Sequence, residues 1–71
     1  MNISSAILEG VKFLKSKYIS SANIDSEILM TKAINKDKSF ILLNSNIILT
    51  DKELKIFKKL IKERSNGKPV A

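Results

Sequence analysis

Residues 49–64, read as Leu-Thr-Asp-Lys-Glu-Leu-Lys-Ile-Phe-Lys-Lys-Leu-Ile-Lys-Glu-Arg, constrain this chain more than any other stretch. Thr50 and Glu53 stand at the spacing of a capping box, in which each side chain satisfies the other residue's free amide at a helix start. Leu49, just before the cap, is placed to staple onto Leu54. At 100° per residue, Leu54, Ile56, Phe57, Leu60 and Ile61 share an arc of about 160°. Lys52, Lys55, Lys58, Lys59 and Lys62 share a separate arc of about 120° on the other side. A helix divided in this way must bury one face against other elements. The spacing therefore predicts a packed helical domain.

Upstream, Ile7, Val11, Leu14 and Tyr18 recur within an arc of about 60°, and Asn2 is a candidate N-cap. Gly10 lies near this apolar stripe, where a missing side chain would let another helix approach closely. After a Ser20–Asn23 loop, Asn23 is a candidate N-cap for a second helix. Asp25 and Glu27 suit its positive N-terminal end, and Asn35 suits its exit. Its apolar side is Ile28, Leu29, Met30, Ala33 and Ile34. The middle stretch, Phe40 to Leu49, admits two readings. It could form two short strands about Asn44-Ser45-Asn46, or a short helix begun at Asp37 and followed by an irregular crossing. Isolated hairpins are marginal and neither run alternates, so helices on both sides favour the second reading. Gly67 fits the cap of the last helix and Pro69 forbids its continuation. The expected fold is all-α, a small bundle of four or five helices, three of them long.

At 71 residues there is room for one domain with a thin core. Neither Cys nor His occurs, which removes disulfides, thiolate and imidazole metal ligands and the common nucleophilic triads. Asn35 to Ser39 resembles the opening of a calcium loop. Phe40, however, stands at the required Gly and Asn46 at the bidentate Glu. Ser65-Asn66-Gly67-Lys68 matches S-x-x-K without its partner motifs. Gly67-Lys68 is no phosphate loop, because Lys62 and Pro69 replace its first Gly and its Ser/Thr. The seven carboxylates fall at helix starts and on polar faces. No catalytic, cofactor or metal residue is expected within these residues.

Net charge is +6, and 12 of the 13 basic residues are lysines. That balance favours polyanions or acidic protein surfaces as partners. The lysine face of the last helix reads first as a solvated face, then as a protein contact, then as a phosphate track. Base reading would want Arg, Asn or Gln at a helix start, and single-strand binding wants exposed aromatics. Phe13, Tyr18, Phe40 and Phe57 fall mostly on apolar faces and are expected in the core. The longest apolar run, Phe40–Leu43, is too short to span a bilayer, and nothing resembles a signal or transit peptide. A cytoplasmic, monomeric protein is the expectation.

Two stretches resemble one family. Asp25-Ser26-Glu27-Ile28-Leu29-Met30 is similar to the D-A-E-L-L-L opening of the second helix in HemK/PrmC proteins, the release-factor glutamine methyltransferases. Arg64-Ser65-Asn66-Gly67-Lys68-Pro69-Val70-Ala71 resembles the R-x-x-G-x-P-x-A that closes their N-terminal domain. Phe40–Leu43, Leu49-Thr50 and Leu54, Leu60 and Ile61 also match in position, so the similarity covers nearly the whole chain. Asn35-Lys36, where a Gly commonly ends the second helix, and Met30 for Leu are departures.

The resemblance implies residues 1–66 as a substrate-recognition domain and 67–71 as the start of a linker to an absent methyltransferase domain. That absent domain would use S-adenosylmethionine and an Asn-Pro-Pro-Tyr motif to methylate the glutamine of the Gly-Gly-Gln loop of class-one peptide chain release factors. Lys55, Lys58, Lys59 and Lys62 become candidate release-factor contacts. Arg64, Gly67 and Pro69 become the inter-domain junction. The alternatives are the same domain of a ribosomal-protein glutamine methyltransferase, or a stand-alone basic module binding nucleic acid.

Overall fold

The computed structural model describes residues 1–68 and contains four helices: α1 (Ile3–Ser16), α2 (Ala22–Ile34), α3 (Lys38–Leu43) and α4 (Asp51–Ser65). Three are long and one is short, the all-α bundle that the sequence predicts. The residues called the start of a linker reach beyond this range, so Pro69, Val70 and Ala71 lie outside the described residues.

Three of the four helix starts carry a side-chain cap. Asn2 Oδ1 accepts the Ser5 amide at 2.8 Å. Asp37 Oδ1 accepts the Phe40 amide at 2.9 Å, which makes the middle segment a short helix rather than a hairpin. Thr50 Oγ1 accepts the Glu53 amide at 3.1 Å while Glu53 Oε1 accepts the Thr50 amide at 2.9 Å, completing the capping box. The start of α2 differs from expectation. The helix already includes Ala22, so Asn23 lies inside it, and Ser21 precedes it without capping a backbone amide. Ser21 Oγ instead donates to the Asp25 carboxylate at 2.7 Å.

Three of the four helix ends, those of α1, α2 and α4, use a left-handed residue. Gly67, at φ +97°, donates its amide to Arg64 O, and Lys68 donates to Glu63 O, the paired bonds of a Schellman cap. The same pair closes α1, where Tyr18 donates to Lys15 O and Ile19 to Leu14 O. Here Tyr18 occupies the left-handed position at φ +63° with 97% of its surface exposed, so it is not a core residue. The helix has ended before Tyr18, and the cap turns its ring away from the stripe that i, i+11 spacing predicts. Asn35 (φ 56°) ends α2 as expected.

Ile3, Leu14, Met30, Ile41, Phe57 and Ile61 form the centre of the core, with Leu49 sealing one end. The contact between α1 and α4 depends on Gly10. A Cβ there would lie 2.6 Å from Ser26 Oγ, 2.9 Å from Ile61 Cδ1 and 3.0 Å from Phe57 Cζ. Three expected apolar positions stay on the surface. Ile28 and Ile56 fall at the edges of their buried arcs and are partly exposed, and Phe13 of α1 is partly exposed as well. The crossing after α3 is held by backbone bonds. Ile47 O accepts from Ile3, Ser45 O from Ser4, and Met1 O from Leu49, so this crossing satisfies the first amides of α1.

Candidate functional site

Alternation of apolar and basic residues along α4 decides where the lysines go. Phe57 and Ile61 are buried against α1 and α2, and Leu54 and Leu60 pack at the edge of the core. Lys55, Lys58, Lys59 and Lys62 are then all exposed, as their arc requires. None of the four has an ion-pair partner among the described residues. Their charge is available to whatever approaches.

The four lysines do not form one uniform surface. Lys58 and Lys62 line a groove of about 290 Å³ between α1 and α4, and Lys55 and Lys59 lie outside it. Ala6 and Gly10 of α1 and Phe57 and Ile61 of α4 also line this groove, together with Met1, Phe13 and Leu54. Glu9, on the α1 side, is the only acidic residue that lines it. The surroundings are apolar at the centre and cationic along the α4 edge. Such a site can hold apolar side chains and attract carboxylates. Sequence periodicity exposed the lysines but gave no sign of the groove, because its walls come from two helices far apart in sequence, α1 and α4.

Arg64 and Gly67 lie at the C-terminal end of α4. Gly67 caps the helix, as described above. Arg64 turns back into the domain, its Nε donating to Asp25 Oδ2 at 2.9 Å. Asp25 is only 6% exposed, and its carboxylate also accepts from Ser21. Arg64 thus ties the end of α4 to the start of α2, a tertiary role that the sequence pattern did not indicate. Lys68 Nζ lies 3.8 Å from Glu63 Oε2, a weaker surface pair across the same cap. Pro69 lies outside the described residues.

A second buried polar group, Ser26, was also missed. It is fully buried and its hydroxyl donates to Ile7 O at 2.8 Å, joining α2 to α1 beside Gly10. A serine between Asp25 and Glu27 reads as a solvent-facing residue in sequence, and only its neighbours in space identify it as a packing contact. Among the described residues no three Asp, Glu, His or Cys side chains converge to hold a metal ion, and no helix is long and apolar enough to cross a membrane.

A short basic four-helix domain, closed by a glycine-capped helix and presenting a lysine-edged groove, is the class of protein these features define. The family model for the PrmC N-terminal domain matches residues 5–71. The chain is 33% identical over 70 residues to the release factor glutamine methyltransferase of Clostridium botulinum, covering 99% of this chain and 25% of that protein. The enzyme of the same name from Leptospira interrogans is also 33% identical over 70 residues, covering 99% of this chain and 24% of its own length. That of Buchnera aphidicola is 32% identical over 71 residues, covering 100% and 25%. This chain belongs to the PrmC N-terminal domain family. It spans about a quarter of the length of the curated relatives it matches. No solved structure gives a significant match.

Proposed function

We propose that this chain is the release-factor-recognition domain of an S-adenosylmethionine-dependent protein-(glutamine-N5) methyltransferase. Residues 1–66 form the recognition domain and residues 67–71 begin the linker to the catalytic domain. The observation that carries this reading is the match of residues 5–71 to the PrmC N-terminal domain, together with similarity over 99% of the chain to a protein named release factor glutamine methyltransferase. The substrate is the glutamine of the Gly-Gly-Gln loop of a class-one release factor. The catalytic domain supplies the methyl donor site, and this domain supplies docking.

This division of labour follows from the chemistry. An amide nitrogen is a weak nucleophile, so its methylation depends on holding the glutamine in line with the methyl donor. A separate domain that grips the substrate protein away from the reacting atoms contributes binding energy to that positioning. Lys55, Lys58, Lys59 and Lys62 are the contacts. They are exposed, free of ion pairs among the described residues, and grouped on one helix. Arg64, Gly67 and Pro69 form the junction, where α4 is capped and anchored before the chain leaves the domain.

Charge reversal of Lys58 and Lys62 in the full-length enzyme tests the reading. Release-factor methylation should fall about tenfold at low salt, the effect of roughly 1.4 kcal/mol lost from docking. Affinity for S-adenosylmethionine should stay within about twofold. Equal loss of both, or no loss, would place recognition elsewhere.

A further inference from the structure

We propose that the groove between α1 and α4 is the seat of the docked partner. It receives a polypeptide segment that inserts one or two apolar side chains against Phe13, Leu54 and Phe57 and sets carboxylates against Lys58 and Lys62. The proposal rests on the release-factor reading above and deepens it by naming the groove and the chemistry of the segment.

Size and shape admit side-chain anchors: at about 290 Å³ the groove has room for one or two apolar side chains. A seam of this size between two helices suits the apolar anchors of an extended or helical peptide. Phe13 is 41% exposed at its wall and Met1 is also exposed, so apolar surface is open to contact there. A partner that covers such surface gains most from a few well-buried anchors.

Charge selects an acidic segment and gives it a direction. The α4 edge carries Lys58 and Lys62, backed by Lys55 and Lys59 on the outer face and by a net charge of +6. The α1 edge carries Glu9. Carboxylates on the segment are therefore attracted to α4 and repelled from α1. A second copy of this chain is a poorer occupant, because an isologous contact through the groove would bring the two lysine edges together. Nucleic acid is a poorer occupant too, since the centre is apolar and Glu9 opposes phosphate on one side.

The experiment places a photo-crosslinking phenylalanine analogue at position 13 of the full-length enzyme, with position 43 as control. Leu43 is 84% exposed and lies outside the groove. Irradiation with a class-one release factor should give an intermolecular crosslink from position 13 and none from position 43. The crosslinked peptide should carry Asp or Glu next to an apolar residue. In parallel, Phe13→Asp should weaken release-factor affinity at least tenfold at both low and high salt. The Lys58→Glu, Lys62→Glu pair should weaken it mainly at low salt.

A crosslink within the enzyme itself would show that its own catalytic domain fills the groove, and would overturn the proposal. A crosslink from position 43 alone, or unchanged affinity for a folded Phe13→Asp variant, would also overturn it while leaving the release-factor reading intact. Failure of the unmodified enzyme to bind release factor at all would overturn both. The crosslinking result does not depend on the aspartate variant folding.

Discussion

A methyl group at Gly10 would meet Ser26 Oγ at 2.6 Å, with Ile61 and Phe57 at or inside 3.0 Å. In most helices Gly→Ala gains about 1 kcal/mol from helix propensity. Here overpacking, which costs about 1–3 kcal/mol, opposes that gain because Ser26 is tied to Ile7 O. Gly10→Ala should therefore destabilise the domain by about 1 kcal/mol in urea unfolding, the reverse of the usual sign. Tyr18 shows the opposite case. Its left-handed backbone costs roughly 1–2 kcal/mol for a residue with a side chain, and its exposed ring gives little packing in return. Tyr18→Gly should raise stability by about 0.5–1 kcal/mol after the added freedom of the unfolded glycine is subtracted. A fall in unfolding midpoint would show that the ring supports the fold.

At the scale of elements, the sequence was most legible where structure is local. The capping box at Thr50, the caps at Asn2 and Asp37, the exit at Asn35 and the Gly67 cap each depend on residues within a few positions. All five were readable before the fold was known. Asn23 misled because Ser, Asn and Asp near a helix start are interchangeable in pattern, and the helix begins two residues earlier than an Asn23 cap implies, at Ala22. Tyr18 misled because periodicity does not show where a helix stops. The Asp25–Arg64 link was illegible for a different reason: the two residues are 39 positions apart and meet only when α2 and α4 pack. Removing one partner leaves the other in a largely dry site. Arg64→Ala should cost about 2 kcal/mol, since Asp25 would keep only the Ser21 hydroxyl. Adding Asp25→Asn should cost less than the sum of the single changes, the coupling expected of residues in direct contact. Additive costs in that double-mutant cycle would mean the pair contributes nothing to joining the helices.

At the scale of the whole molecule, three helices of roughly 20 Å each fill a body of 28 × 21 × 20 Å. A core this thin leaves little stability to spare. The lysine face was legible as a face, because charge and burial separate by helical phase alone. Its division into groove-lining Lys58 and Lys62 and outward Lys55 and Lys59 was not legible, because it requires the position of α1. The central proposal is that this domain grips a release factor through that face. The most direct measurement is calorimetric titration of the 71-residue chain with a class-one release factor at about 50 and 300 mM salt, with an RNA oligonucleotide as competitor. Docking through a lysine-edged surface should give saturable binding at low salt, weaker binding as screening shortens the reach of the lysines, and little displacement by RNA. No binding at low salt, or binding abolished by RNA, would contradict it.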